Sequence, residues 1–208
     1  MAFIRTAAPE STRATSEGAS FLYVLPCAGE DLLKLGFSRH PLQRMQALQS
    51  RYFEFFDLDR AFLVETETVR DARDLELSLG HSVAVHGAPV PLLVREEAGG
   101  HSEWYRGAYA LLEGEIAALA ERGFSVHHPL RPWLRAELLH RREGLFTWAA
   151  AVLDSLEGDP DWLDNPQTAA LRGHVLDTLD AYTAVDIPVA DALPDALADW
   201  YGRATGYR

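Results

Sequence analysis

Two short apolar runs, Phe21-Leu22-Tyr23-Val24-Leu25 and Leu32-Leu33-Lys34-Leu35-Gly36-Phe37, flank Pro26 and the turn-forming stretch Cys27-Ala28-Gly29-Glu30-Asp31. Runs of this length and type, joined through a glycine, read as a β-hairpin. A hairpin alone is marginal in water, so the elements that follow decide the fold. Ser38-Arg39-His40-Pro41 opens a helix, with Ser38 or His40 as cap and Pro41 in the first turn. Leu42, Met45 and Leu48 form its apolar stripe. Residues 60–65, carrying Phe62, Leu63 and Val64, read as a third strand. Thr68 followed by Asp71 signals the cap of a helix over about residues 69–85, with Ala72, Leu75, Leu79 and Val83 on its buried face. A long loop over residues 87–100 and a helix over about 107–122 complete this half. The order predicts an α+β fold with a small three-stranded antiparallel sheet flanked by helices.

From Pro129 the pattern is helical. Residues 132–157 read as one long amphipathic helix, Asn165-Pro166 caps another, and a last piece surrounds Leu197 and Trp200. The chain therefore divides into an aperiodic arm at 1–19, an α+β domain at 20–124 and an all-α extension at 125–208.

Charge is the next constraint. Lys and Arg number 19 against 31 Asp and Glu, a net of -12. A polyanion is repelled by such a field, so any nucleic-acid function needs a local basic patch. Residues 32–53 supply one: they contain no acid, but hold Lys34, Arg39, Arg44 and Arg51, together with His40. Lys34 is the only lysine in the chain. The acids gather later, with eleven in residues 154–199 against Arg172 alone. Those acidic helices could mask the basic patch within the molecule or take part in self-association.

Several classes fall away. No apolar run approaches the length of a membrane span. The first twenty residues lack the apolar core of a secretory signal, which makes the cytoplasm the expected location. The single cysteine, Cys27, excludes a disulfide framework and an all-cysteine zinc site. The histidines do not form the HExxH pair of a zincin, and no Walker loop, G-x-G-x-x-G or GxSxG elbow occurs.

Glu76 is the residue most in need of explanation. At helical spacing it shares a face with Ala72, Leu79 and Val83, within or beside the apolar stripe. It is either a border glutamate that reaches water, or a carboxylate that needs a cation, a metal or a shifted pKa. Tyr23, alternating with Phe21 and Leu25, is by itself a core or interface tyrosine.

Taken in order, Tyr23 in Phe-Leu-Tyr-Val-Leu, Lys34-Leu35-Gly36, Arg44 and Glu76 resemble a GIY-YIG nuclease domain. The resemblance covers about residues 20–110. It is closest to the branch with a Lys-Ile-Gly second motif and a late Glu-Trp-aromatic, here Glu103-Trp104-Tyr105 after His81. It implies that Tyr23 positions or deprotonates the attacking water, and that Gly36 stands where a side chain would crowd the site. Arg44 would stabilise the scissile phosphate, and Glu76 would hold a divalent cation, Mg²⁺ or Mn²⁺. Phosphodiester cleavage needs those three services. Lys34 replaces the second motif's tyrosine, as a phosphate-directed cation or as a charge that lowers the pKa of Tyr23. Arg39, His40 and Arg51 are expected to meet nucleic acid, DNA before RNA, and His81 and Glu103 are additional candidates. The altered motifs leave open a non-cleaving module of the same fold that binds nucleic acid or a protein partner.

Overall fold

The computed structural model describes residues 17–94 and 96–206. The hairpin is formed by β1 (Glu17–Pro26) and β2 (Leu33–Ser38), paired antiparallel with Tyr23 opposite Gly36 and Leu25 opposite Lys34. On its other side β1 pairs with β3 (Phe62–Thr68). Two edge strands extend this core: β4 (Trp104–Tyr105) on β2 and β5 (Val126–His127) on β3. The sheet is thus five-stranded and antiparallel, in the order β4-β2-β1-β3-β5, rather than three-stranded as expected. Two-residue strands carry no alternation for a sequence pattern to show, and for that reason both edges escape it.

β1 also begins earlier than expected. Glu17–Ala19, placed in the arm by composition, are strand, with Glu17 opposite Thr68. Polar partners hold this end: the Thr66 hydroxyl donates to the Ser20 carbonyl at 2.8 Å. The rest of the expected arm, residues 1–16, lies outside the described residues.

Strand alternation sorts the sheet into two faces. Leu22 and Val24 of β1, Leu33 and Leu35 of β2, and Phe62 and Val64 of β3 pack against α3 (Val69–Ser82) and α4 (Tyr109–Glu121). Thr68 caps α3 as predicted, its hydroxyl accepting from the Asp71 amide at 3.1 Å. Tyr23, Leu25 and Leu63 face the opposite side, toward α1 (Pro41–Leu48) and the short α2 (Tyr52–Phe55).

The C-terminal helices cover that second face. The single helix expected over 132–157 is two, α5 (Arg131–Arg141) and α6 (Leu145–Ser155), parted by a 3-10 turn at Arg142–Gly144. Gly144 interrupts the run, and helix interiors disfavour glycine by about 1 kcal/mol. α7 (Ala169–Thr183) and α8 (Asp195–Thr205) follow. Their buried side chains, among them Val175, Leu179, Leu197 and Trp200, belong to the same apolar cluster as Tyr23, Leu42 and Met45. The result is three layers: helices, sheet, helices. No described helix is long and apolar enough to cross a membrane.

Candidate functional site

The site lies along β2 where the two-residue partner β4 ends. Here the fold brings Tyr23, Lys34, Gly36, Arg44, Glu76 and Glu103 together.

Tyr23 and Gly36 form its floor. Tyr23 is 3% exposed, and its ring lies across Gly36 on the neighbouring strand. A Cβ on Gly36 would fall 2.6 Å from the Tyr23 Cζ, well inside contact distance. The glycine is required by that close approach, not by its backbone angles. Gly36→Ala should therefore push the buried ring off its rotamer and lower the unfolding free energy by about 1–3 kcal/mol. Chemical denaturation of the variant checks this.

Arg44 reaches the floor from α1. Its Nε donates to the Tyr23 hydroxyl at 3.4 Å, and its Nη1 donates to the Ala98 carbonyl at 2.5 Å. Gly100, at φ +73°, closes over the same guanidinium, and its carbonyl accepts from the Trp104 indole at 2.8 Å. Ala98 and Gly100 thus roof Arg44. Burial pushes the Tyr23 phenol above its ordinary pKa, with Arg44 opposing and Glu76 and Glu103 reinforcing. At neutral pH Tyr23 keeps its proton.

Lys34 has a different place from the one expected of it. It is 1% exposed, and its ammonium donates to the Leu35 carbonyl at 2.7 Å, the Ser102 carbonyl at 2.9 Å and the Glu103 carboxylate at 3.3 Å. An ammonium has three protons, and all three are engaged. Lys34 is therefore a tie between β2 and the 102–103 loop rather than a cation facing a phosphate. The charge that lowers the Tyr23 pKa is Arg44, not Lys34. Burial pulls the Lys34 pKa down, with Glu103 holding it up. Glu103 sits at φ 58°, a left-handed conformation that costs a non-glycine residue on the order of 1 kcal/mol. Its ties to Lys34 and, at 2.6 Å, to the Ser102 hydroxyl hold it there.

Glu76 completes the set from α3. It is half-buried and has no hydrogen-bond partner among the described residues. Burial first, and Glu103 second, raise its pKa to about 7, against the attraction of Lys34, Arg73 and Arg44. A carboxylate in that condition is poised to exchange its proton for a cation. No group of three or more His, Cys, Asp or Glu forms a metal cage among the described residues. Glu76, with Glu103 near enough to shift it, offers hard oxygen donors of the kind Mg²⁺ and Mn²⁺ accept alongside several waters.

Other expected residues lie elsewhere. Arg51 is bound to acids: its Nη1 donates to Asp177 at 3.0 Å and Asp180 at 2.9 Å on α7, and its Nε donates to Glu54 at 2.7 Å. These bonds, that to Glu54 foremost, raise its pKa and tie the expected nucleic-acid residue to acids of α7. His81 is exposed further along α3. Arg39 and His40 line a separate pocket with side chains of α5.

Tyr105 is the site residue the sequence pattern did not single out on its own. Its hydroxyl would lie 3.0 Å from a Cβ on Gly80, one turn beyond Glu76, and burial with Glu103 and Glu76 raises its pKa. The tripeptide Glu103-Trp104-Tyr105 was its only sequence signal. Compared with protein-family models, curated proteins and solved structures, the chain matches none.

Proposed function

We propose that this chain is a GIY-YIG-type endonuclease domain that hydrolyses phosphodiester bonds in nucleic acid, DNA before RNA, with Mg²⁺ or Mn²⁺ at Glu76. The observation that carries the reading is Glu76 itself: a half-buried carboxylate with no hydrogen-bond partner among the described residues and a pKa near 7, set among Arg44 and Tyr23. A structural glutamate in that position would be paired or would point to water.

The protein groups divide the work. Arg44 offers its guanidinium to the non-bridging oxygens of the scissile phosphate, where negative charge grows during the attack. The protonated Tyr23 hydroxyl, in hydrogen-bond reach of Arg44, orients the attacking water rather than deprotonating it. Glu76 would hold the cation, and Glu103, fixed by Lys34 and Ser102, would add a second carboxylate on that side. A bound divalent cation supplies charge neutralisation at the phosphate and its leaving oxygen. Gly36 leaves room for the Tyr23 ring, and so lets the tyrosine hydroxyl reach Arg44.

The test is nicking of supercoiled plasmid by the full chain in Mg²⁺ or Mn²⁺, against EDTA. Relaxed product should appear only with the cation, and Glu76→Ala should abolish it. Unchanged nicking by Glu76→Ala would sink the reading. A second reading, a module that binds nucleic acid without cutting it, is favoured by the Ala98 carbonyl that already occupies Arg44. Cation-independent binding with no cleavage would select it.

A further inference from the structure

Among the described residues, three positive charges bear on Glu76: Lys34, Arg73 and Arg44. Two of them are already engaged within the protein. The Lys34 protons go to Leu35, Ser102 and Glu103, and Arg44 is held by the Ala98 carbonyl and the Tyr23 hydroxyl. Arg73 is exposed and has no hydrogen bond or ion pair among the described residues. We propose that Arg73 is a substrate-binding residue that takes a backbone phosphate of the bound nucleic acid, one helical turn along α3 from Glu76. The chemistry of that ligand rests on the nuclease reading, to which it adds a second phosphate contact.

The helix puts Arg73 where such a contact is needed. Arg73 precedes Glu76 by three residues, a spacing that sets two side chains together on one face with Cβ atoms about 5–6 Å apart. Val69, Arg73, Glu76 and Gly80 follow at helical intervals and make one stripe along α3. The Gly80 end is closed by the Tyr105 hydroxyl, which would lie 3.0 Å from a Cβ there. The other end is open, since Arg73 is exposed and Val69 half-buried. A strand with its scissile phosphate at Glu76 therefore leaves over Arg73. α3 packs on the sheet face opposite the one covered by the C-terminal helices, so this path does not pass beneath them.

Electrostatics makes the contact matter. The chain's net charge of -12 repels a polyanion, so each unengaged cation at the site counts. The acids nearest Arg73 in sequence have partners of their own. Asp71 accepts from the Thr68 hydroxyl at 2.7 Å, and Asp74 stands 3.7 Å from Arg70. Residues one or two positions away on a helix do not face each other, so neither acid shares the Arg73 stripe. Glu76 does share it, and a cation held there would neutralise it. Arg73 then presents five N–H donors in a planar fork that matches phosphate oxygens.

Anisotropy of a fluorescein-labelled DNA duplex, titrated with the full chain in EDTA over a range of salt, tests the contact without cleavage. Arg73→Ala should weaken Kd by roughly 10-fold, the low end for a charge-assisted hydrogen bond, as suits an exposed side chain. It should also flatten the salt slope by about 0.9. Arg73→Lys keeps the charge and should keep the slope. Tm should not fall in either variant, because alanine and lysine are good helix formers at an exposed position. An indirect role, in which Arg73 only offsets the repulsion of the strand by Glu76, is separated by repeating the titration in Glu76→Gln. A direct contact loses as much there, whereas a loss confined to chains that carry Glu76 overturns the proposal. Wild-type Kd and slope in Arg73→Ala, or no binding by the wild type, would overturn it too. In an active nuclease Arg73→Ala should raise KM and leave kcat unchanged, because the contact is the same before and during the attack. A flattened slope in a protein that nicks nothing keeps the phosphate contact and sinks the nuclease, and nicking with unaltered binding and KM does the reverse.

Discussion

Glu76→Gln is expected to stabilise the protein at alkaline pH while lowering cation-dependent cleavage by about 10²–10³-fold, the loss typical when one charge-stabilising group leaves an active site. The sign follows from linkage. The unfolded carboxyl titrates near its ordinary value of 4.5, the folded one at about 7. Between those pH values the folded chain holds a proton that the unfolded chain has released, so stability falls as pH rises from about 4.5 to about 7 and stays low above it. Glutamine carries no charge to desolvate and removes that loss. The gain at pH 8 is about 1–3 kcal/mol after allowance for partial solvent access, or about 5 °C in Tm. Near pH 4 the variant and wild type should melt together. Adding Mg²⁺ at pH 8 should raise the wild-type Tm and leave the variant unmoved, since only the carboxylate gains a partner. A variant that melts like the wild type at every pH would show that Glu76 reaches water and carries no strain. Stability given up at one carboxylate for chemistry is the trade that distinguishes an active site from a structural helix face.

That carboxylate was legible because helical periodicity is strict: Ala72, Leu79 and Val83 are buried where the spacing puts them, and Glu76 falls between them. The hairpin itself was legible from local signals, since Pro26 and Gly29 bound the turn between two apolar runs. The Thr68 cap, a local feature, was legible as well. What escaped is non-local. Lys34 and Ser102 are 68 residues apart, and no pattern within either segment announces that the lysine turns inward to tie them. Arg51 looked like part of a basic face because its neighbours before it in sequence carry no acid. Its partners Asp177 and Asp180 arrive from α7, more than 120 residues later. The same distance hid Trp133 and Arg141, which join Arg39 only because α5 packs on the sheet face that bears Phe21 and Tyr23. Net charge counted along the chain misjudged the surface for this reason: residues remote in sequence cancel an arginine at one place and add one at another.

Lys34→Ala should be the most destabilising single change in the site, by about 3–5 kcal/mol, with a fall in Tm on the order of 10 °C. The variant leaves the Leu35 and Ser102 carbonyls and the Glu103 carboxylate without their shared donor in a place where the lysine is 1% exposed. Lost packing of the aliphatic stem adds to the cost. Lys34→Arg should not rescue it, because a planar guanidinium needs more room than a site closed around an ammonium provides. Lys34→Met keeps the stem but strands Glu103, whereas Lys34→Met with Glu103→Gln removes both charges. The double variant should recover part of the loss, and that recovery measures the charge pair apart from the carbonyl bonds. The prediction separates two roles for the lone lysine. If it holds the 102–103 loop against β2, activity and Tm fall together and the double variant restores part of the Tm. If instead Lys34→Ala melts like the wild type and cleaves more slowly, the ammonium serves the substrate and the tie to Ser102 does not govern the loop. The three hydrogen bonds favour the first outcome, because a donor fully engaged inside the protein would have to break one of them to reach a phosphate.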